Sequence, residues 1–357
     1  MTISHSRKRQ DAQGTEAGDR PRLSIVLIVY RMRRQAMNTL YTLSARYQRE
    51  VADDDYEVLV VENASDENLD AAEVAALGSN FRYFLHDEKG VSPARAINLG
   101  LSECRAPFVG LMIDGARMVT PRVVRYVLDA FAITEQALVA VPGYHLGETE
   151  HHMNESAGYN EAVERQFLDG IDWRNKGYQL FDIACWSGAN PHGFFHPFLE
   201  SNCMFASRGN FALIGDADER FDLPGGGALN LHMYRALGLL PGTRLFVTPG
   251  EGSFHQFHGG VTTAETEGRE ERVAVQKRQL AEIWEGSFHS LRREAVMLGA
   301  VTGPALPFMA GSARRGLHRF RRIHNEGRVE WADDPDEQGR VTQFRPPVAD
   351  VDDEADS

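Results

Sequence analysis

The chain of 357 residues carries 51 acidic side chains against 38 Lys and Arg, a formal net charge of −13, and 42% of it is hydrophobic. This content suffices for one catalytic-sized domain with tails, and the acidic balance argues against nucleic acid as a partner, which needs a broad basic face. Anionic ligands must then be met locally, by a few arginines or by a metal.

The first 21 residues are polar and lack an apolar core, so they read as a disordered lead and not as a signal peptide. "LSIVLIV" (23–29) and "YEVLVV" (56–61) are β-branched runs, and helical spacing joins them from Met32 to Gln48 through Met37, Leu40, Leu43 and Tyr47. The rhythm repeats with a helix from Glu67 to Leu77 and a strand "FRYFL" (81–85). Ser92-Pro93 opens a helix through Cys104, "PFVGLMI" (107–113) is a strand buried on both faces, and Thr120-Pro121 starts another helix. The fold class expected over 22–143 is α/β, a doubly wound and mostly parallel sheet.

Residues 144–262 form the second half. Up to residue 199 they are dense in His, Trp and Tyr, which suits either a wall for sugar rings or a small subdomain with a Trp core. His145, His151, His152 and His192 match no compact zinc spacing. "RLFV" (244–247) is a further strand, followed by the glycine-rich loop "GEGSFHQFHGG" (250–260). A helical extension is expected over 263–328, with an acidic disordered tail over 329–357. The apolar run at 295–311 is broken by Pro304 and Pro307 and followed by Arg314, Arg315, Arg319, Arg321 and Arg322. It reads as a docked helix with a solvated basic face, and residues 295–324 as the place where a membrane surface would be touched. Cys104, Cys185 and Cys203 lie in neither zinc nor disulfide spacing, which suits a reducing, cytoplasmic setting.

In doubly wound sheets ligands bind beyond the carboxyl ends of the strands. Four polar stretches fall there: Tyr30 and Arg31, "ENAS" (62–65), His86 to Lys89, and Asp114. Each alone is an ordinary turn; together they point to a nucleotide-type pocket.

The ordered set of segments over about 22–260 resembles the family 2 nucleotide-sugar glycosyltransferases of the A-type fold. The resemblance implies that Tyr30, Glu62 and Asn63 hold the base and ribose, and that Arg95, in "EKGVSPARAINLGL", lies beneath the diphosphate. "LMIDGARM" (111–118) stands where the family has its acid-any-acid metal motif, so Asp114 is the matching ligand and Ala116 replaces the second acid. "PGGGALNL" likewise replaces the usual Glu-Asp pair of the general base, with glycines and alanine from Gly225 to Ala228.

A diphosphate-holding cation, Mn²⁺ or Mg²⁺, takes oxygen or imidazole ligands, few of them from protein. The resemblance implies that a late-loop histidine completes the set with Asp114; His255 and His258 are the candidates, with His255 preferred, and loop capping is the plain alternative. The acceptor hydroxyl needs a base. Among Glu200, Asp216, Asp218 and Asp222, Glu200 stands out because Phe194, Phe195 and Phe198 precede it and would desolvate it.

The resulting expectation is an inverting, metal-assisted glycosyltransferase acting on a nucleotide-diphosphate sugar and a glycan or other hydroxyl acceptor. A non-catalytic nucleotide-sugar or glycan-binding relative is the alternative. A nucleotidyltransferase fits less well, since "VYRMRRQ" has no glycine for a phosphate loop.

Overall fold

The computed structural model describes residues 20–88, 92–151, 158–258, 269–286, 291 and 293–326. Most of the N-terminal lead and the whole acidic tail lie outside these residues, as do Lys89 and His152.

The main layer is an eight-stranded sheet with the order β12-β10-β6-β9-β4-β1-β2-β3. Its first half follows the sequence reading closely. β1 (Leu23–Val29), β2 (Tyr56–Asn63), β3 (Phe81–His86) and β4 (Phe108–Met112) are parallel neighbours, and every residue of β1 and β2 is buried. Helices α1 (Arg33–Thr42), α3 (Ala94–Glu103) and α4 (Val123–Ile133) return the chain between strands. Two hydrophobic clusters sandwich the sheet: one packs Leu40 and Val127 against Ile25 and Val58, the other packs Ile97 and Leu101 against Val26 and Val61. Each such aliphatic side chain contributes roughly 1.5–3 kcal/mol on burial.

Two helices are shorter than their spacing predicts. α1 stops at Thr42, whose hydroxyl turns back to the Thr39 carbonyl while Gln48 Nε2 donates to the Thr42 carbonyl, so the remaining turns to Gln48 are irregular. α2 (Ala71–Ala75) starts only after Asp70, which caps the Ala72 amide at 2.7 Å. Asn68 and Ser65 bond each other and hold the preceding residues in a tight turn.

β9 (Cys203–Ser207) enters the sheet antiparallel between β4 and β6 (Ala137–Ala140), while β10 (Arg244–Val247) and β12 (Val296–Met297) extend the parallel edge. The mostly parallel, doubly wound expectation holds, with one reversed strand.

A second sheet, which the sequence reading did not anticipate, has the order β5-β11-β7-β8. Its strands are short: β5 (Arg117–Val119), β7 (Gly143–Leu146), β8 (Ala184–Trp186) and β11 (Ser253–His255). Behind it Tyr144, Phe181, Phe254 and Phe308 meet ring to ring at centroid distances of 4.9 to 5.6 Å. Trp173 is buried in the same cluster. The aromatic residues of 144–199 therefore build a core to a considerable extent.

Further α-helices among the described residues are α5 (Glu161–Asp169), α6 (Arg208–Leu213), α7 (Leu229–Leu239), α8 (Arg269–Trp284) and α9 (Leu306–Glu326). α9 buries Ser312 and Arg319, whose Nη1 donates to the Phe195 carbonyl at 2.6 Å, and exposes Leu306, Leu317 and Phe320. Among the described residues no helix is long and apolar enough to cross a membrane.

Candidate metal centre and cleft

The second sheet explains how distant residues meet. β4 ends at Met112, the chain turns through Asp114 and Gly115, and β5 leaves at once to pair antiparallel with β11, placing Arg117 opposite His255. Gly115 allows that turn: a Cβ there would stand 2.8 Å from the Ile28 carbonyl. Asp114 thereby faces the end of β11 and the residues that follow it.

The Asp114 carboxylate lies 2.8 Å from His255 Nε2 through Oδ2 and 3.6 Å from His258 Nε2 through Oδ1. The two imidazole Nε2 atoms are 3.0 Å apart. Ala116 N donates to Asp114 Oδ1 at 2.9 Å, and Arg117 Nε stands 3.6 Å from Oδ2. One ligand atom from each of Asp114, His255 and His258 falls within 4.8 Å of the others.

Two facing ring nitrogens beside a carboxylate make a set richer in lone pairs than in protons. A divalent cation satisfies such a set, and its oxygen and imidazole donors suit Mn²⁺ and related ions. Burial resists ionisation of Asp114, but the hydrogen-bonding imidazoles of His255 and His258 beside it outweigh that, and the carboxyl sits well below its ordinary range. Burial lowers His255 to about 4, against the pull of Asp114, so its imidazole is neutral and available at neutral pH.

Ala116 is wholly buried in the cluster that also holds Val29, Met32 and Val119. A carboxylate at this position would enter the apolar core, so the turn brings a single acid to the centre. The glycines of "PGGGALNL" also have a local reason. Gly225, Gly226 and Gly227 all adopt positive φ, and a Cβ on Gly226 would lie 2.8 Å from Pro93 Cγ, at the start of α3.

Glu200 is half-buried beside this centre. Burial pushes its carboxyl up, while Arg117, Asn230 and Asn202 pull it back, Asn202 Nδ2 donating at 3.4 Å. Asn230 Nδ2 in turn donates to Asn202 Oδ1 at 2.7 Å. The charge of Arg117 acts on both Glu200 and His255, so one buried guanidinium links them. The other acids in this region are engaged elsewhere: Asp216 by Arg208, Asp218 by Arg220 and Asp222 by Gln279.

The strand-end residues are more dispersed in role. Tyr30 is over a third exposed, its ring under the Arg31 guanidinium at 5.5 Å, and Arg31 at positive φ pairs with Asp66 at 2.9 Å. Glu62 is fully buried; its Oε2 accepts from Tyr83 Oη at 2.6 Å and from the Leu69 amide at 2.9 Å. Asn63, at the end of β2, has a buried Oδ1 without a hydrogen-bond partner. Arg95 is exposed and pairs with Glu88 at 3.0 Å and Glu219 at 3.2 Å. The structure thus joins Asp114, His255 and His258 in one cluster, puts Glu200 within reach of its charge through Arg117, and leaves Glu62 and Arg95 in bonds with their own neighbours.

Sequence reasoning missed Arg117, and it set aside His145 and His151 for want of a compact zinc spacing, although their rings lie against that of His255. A paired row of strand residues was the only available signal, and three-residue strands do not show one.

No protein-family model matches the chain, and no curated protein does either. Among solved structures, S. aureus TarS is similar at 11% identity with a TM-score of 0.45, over 74% of this chain and 43% of that one, so the present chain spans less than half of that protein. S. aureus TarS 1–349 in complex with UDP-GlcNAc is similar at 10% identity, TM-score 0.46, over 87% and 77% of the two chains. The mannosyltransferase PcManGT from Pyrobaculum calidifontis, in complex with GDP-Man and Mn²⁺, is similar at 13% identity, TM-score 0.43, over 95% and 85%.

Proposed function

We propose that the protein is a glycosyltransferase that moves a sugar from a nucleotide-diphosphate donor to an acceptor hydroxyl, with inversion and with a divalent metal. The observation that carries this reading is the meeting of Asp114 with His255 and His258 at the carboxyl end of β4, in a doubly wound sheet. Asp114, His255 and His258 would hold the cation. When bound, it supplies charge stabilisation for the departing diphosphate.

The other roles follow from the chain's own residues. Tyr30 and Asn63, at neighbouring strand ends, offer an accessible ring and an unpaired amide oxygen to a base. Glu62, next to Asn63 at the end of β2, would lie near the ribose or base. Arg95 reaches a phosphate by leaving Glu88 and Glu219. Glu200 accepts the proton of the acceptor hydroxyl, its carboxyl raised by burial and drawn only partly back by Arg117.

Calorimetry of the purified protein with UDP, GDP and the other common nucleoside diphosphates, each with Mn²⁺ or Mg²⁺, tests the reading. Binding of one of them, weakened at least tenfold by Asp114→Ala, is the expected result. Absence of binding to every one would end the proposal.

A second reading is favoured by Ala116 and by the glycines at 225–227: a relative that binds a nucleotide sugar or glycan without transfer. Nucleotide binding with no donor hydrolysis or transfer, in the wild type and in Glu200→Gln alike, would select it. We also infer that the exposed face of α9, with Leu317 and Phe320 beside Arg314 and Arg321, touches an anionic membrane surface.

A further inference from the structure

β7 runs parallel to β11 with His145 opposite His255, so both rings stand on one face of the second sheet. Their centroids are 5.0 Å apart. His151 closes the group, 4.6 Å from the His145 ring and 5.2 Å from the His255 ring. One ligand nitrogen from each of the three lies within 4.8 Å of the others, and all three side chains are buried.

The tautomer of His151 is set by its surroundings. Its Nε2 sits 2.9 Å from the Leu146 carbonyl, which only an N–H can bond, so in the neutral ring the lone pair is on Nδ1. That Nδ1 is buried without a hydrogen-bond partner, and so is Nδ1 of His255. A buried acceptor with no donor is unfavourable, and a bound cation would satisfy it. An N–H anchored on a carbonyl with the second nitrogen turned inward is also the arrangement that orients metal-bound imidazoles.

We propose that His145, His151 and His255 form a second cation position beside Asp114, built from three imidazoles and no carboxylate and selective for a borderline transition-metal ion such as Zn²⁺ or Co²⁺ over Mg²⁺. Three neutral imidazoles with an open fourth position suit these ions, whereas Mg²⁺ prefers oxygen donors and keeps its water. His255 is common to both positions. The inference goes beyond the transfer reaction and does not rest on it.

The test uses full-length protein freed of metal with EDTA and titrated with Co²⁺ without nucleotide, following the visible d–d absorption. Co²⁺ should bind at least about 100-fold more tightly than Mg²⁺. Asp114→Ala should retain the Co²⁺ spectrum, since it leaves all three imidazoles in place. Adding His151→Ala in that background should weaken Co²⁺ at least about tenfold. Asp114→Ala combined with His145→Gln is the parallel variant, and melting curves in EDTA identify the folded proteins. Loss of Co²⁺ binding in Asp114→Ala, or unchanged binding in both double variants, would overturn the proposal. Nucleotide calorimetry on the same preparations separates this failure from failure of the transferase reading, since the two readouts share no ligand.

Discussion

The buried Glu164 carboxylate on α5 accepts the backbone amide of Phe257, the residue between Gln256 and His258. Arg34 holds the other oxygen of the same carboxylate at 2.9 Å, and Gln35 Nε2 donates to the Phe257 carbonyl at 2.6 Å. The histidine-bearing loop is thus pinned from α1 and α5 together. Glu164→Ala is expected to weaken Mn²⁺ or Co²⁺ binding by about 10- to 100-fold, as loss of outer supports does at metal sites. Metal titration followed by electron paramagnetic resonance measures it, and Glu164→Gln, which keeps an acceptor for the Phe257 amide, should lie between wild type and alanine.

Glu200 tests the chemistry separately from binding. If it takes the acceptor proton, Glu200→Gln lowers kcat by about 10²- to 10⁴-fold and leaves nucleotide affinity within about twofold. A rate profile against pH should lose its acidic limb in the variant. Equal loss of nucleotide binding would assign Glu200 to the fold and not to the proton transfer.

Stability against pH contains opposing contributions. His255 is depressed by burial to about 4, so its share of stability is full above pH 6.5 and is lost as pH falls through 4. Glu164 and Glu251, both raised by burial to about 7, contribute stability that is full below pH 4.5 and is lost as pH rises through 7. The metal-free protein should therefore show a shallow profile between pH 4.5 and 7. His255→Gln removes the histidine share, and urea midpoints in EDTA should then decline more steeply toward pH 7 than in wild type.

The outer face of α9 supplies a further test. With Leu317 and Phe320 both over 40% exposed, co-sedimentation with vesicles containing phosphatidylserine is expected, falling with added salt. Replacing both residues with serine should reduce the bound fraction at least about fivefold, with the melting temperature little changed. Equal binding to neutral vesicles would exclude the basic side chains from the contact.

The first half of the fold was legible because its strands are long, buried and mostly apolar: Leu23–Val29 coincides with the run read from sequence, and Tyr56–Asn63 extends the run read at 56–61 by two residues. The pairing of Asp114 with His255 and His258 was reachable only through resemblance, since nothing local joins these segments. The second sheet was hidden for a physical reason. Its strands have three or four residues, too few for a period to emerge, and they are tied by pairings far apart in the chain. His145 and His151 shared that fate, because their partner is chosen by strand register and not by spacing. Asp218 and Asp222 lack the preceding phenylalanines that set Glu200 apart in the sequence, and in the structure they pair with Arg220 and Gln279.

β11 is a three-residue strand that reaches the centre late in the chain, after both β5 and β7. A ribosome that has not yet released this segment has made Asp114 and His145 but no place for an ion to settle. Cation capture by the proposed centre would therefore be conditional on closure of the second sheet, and every captured ion would shift the folding equilibrium toward the closed form by mass action. Cellular metal supply would then act on how much of the protein is folded as well as on how fast it works.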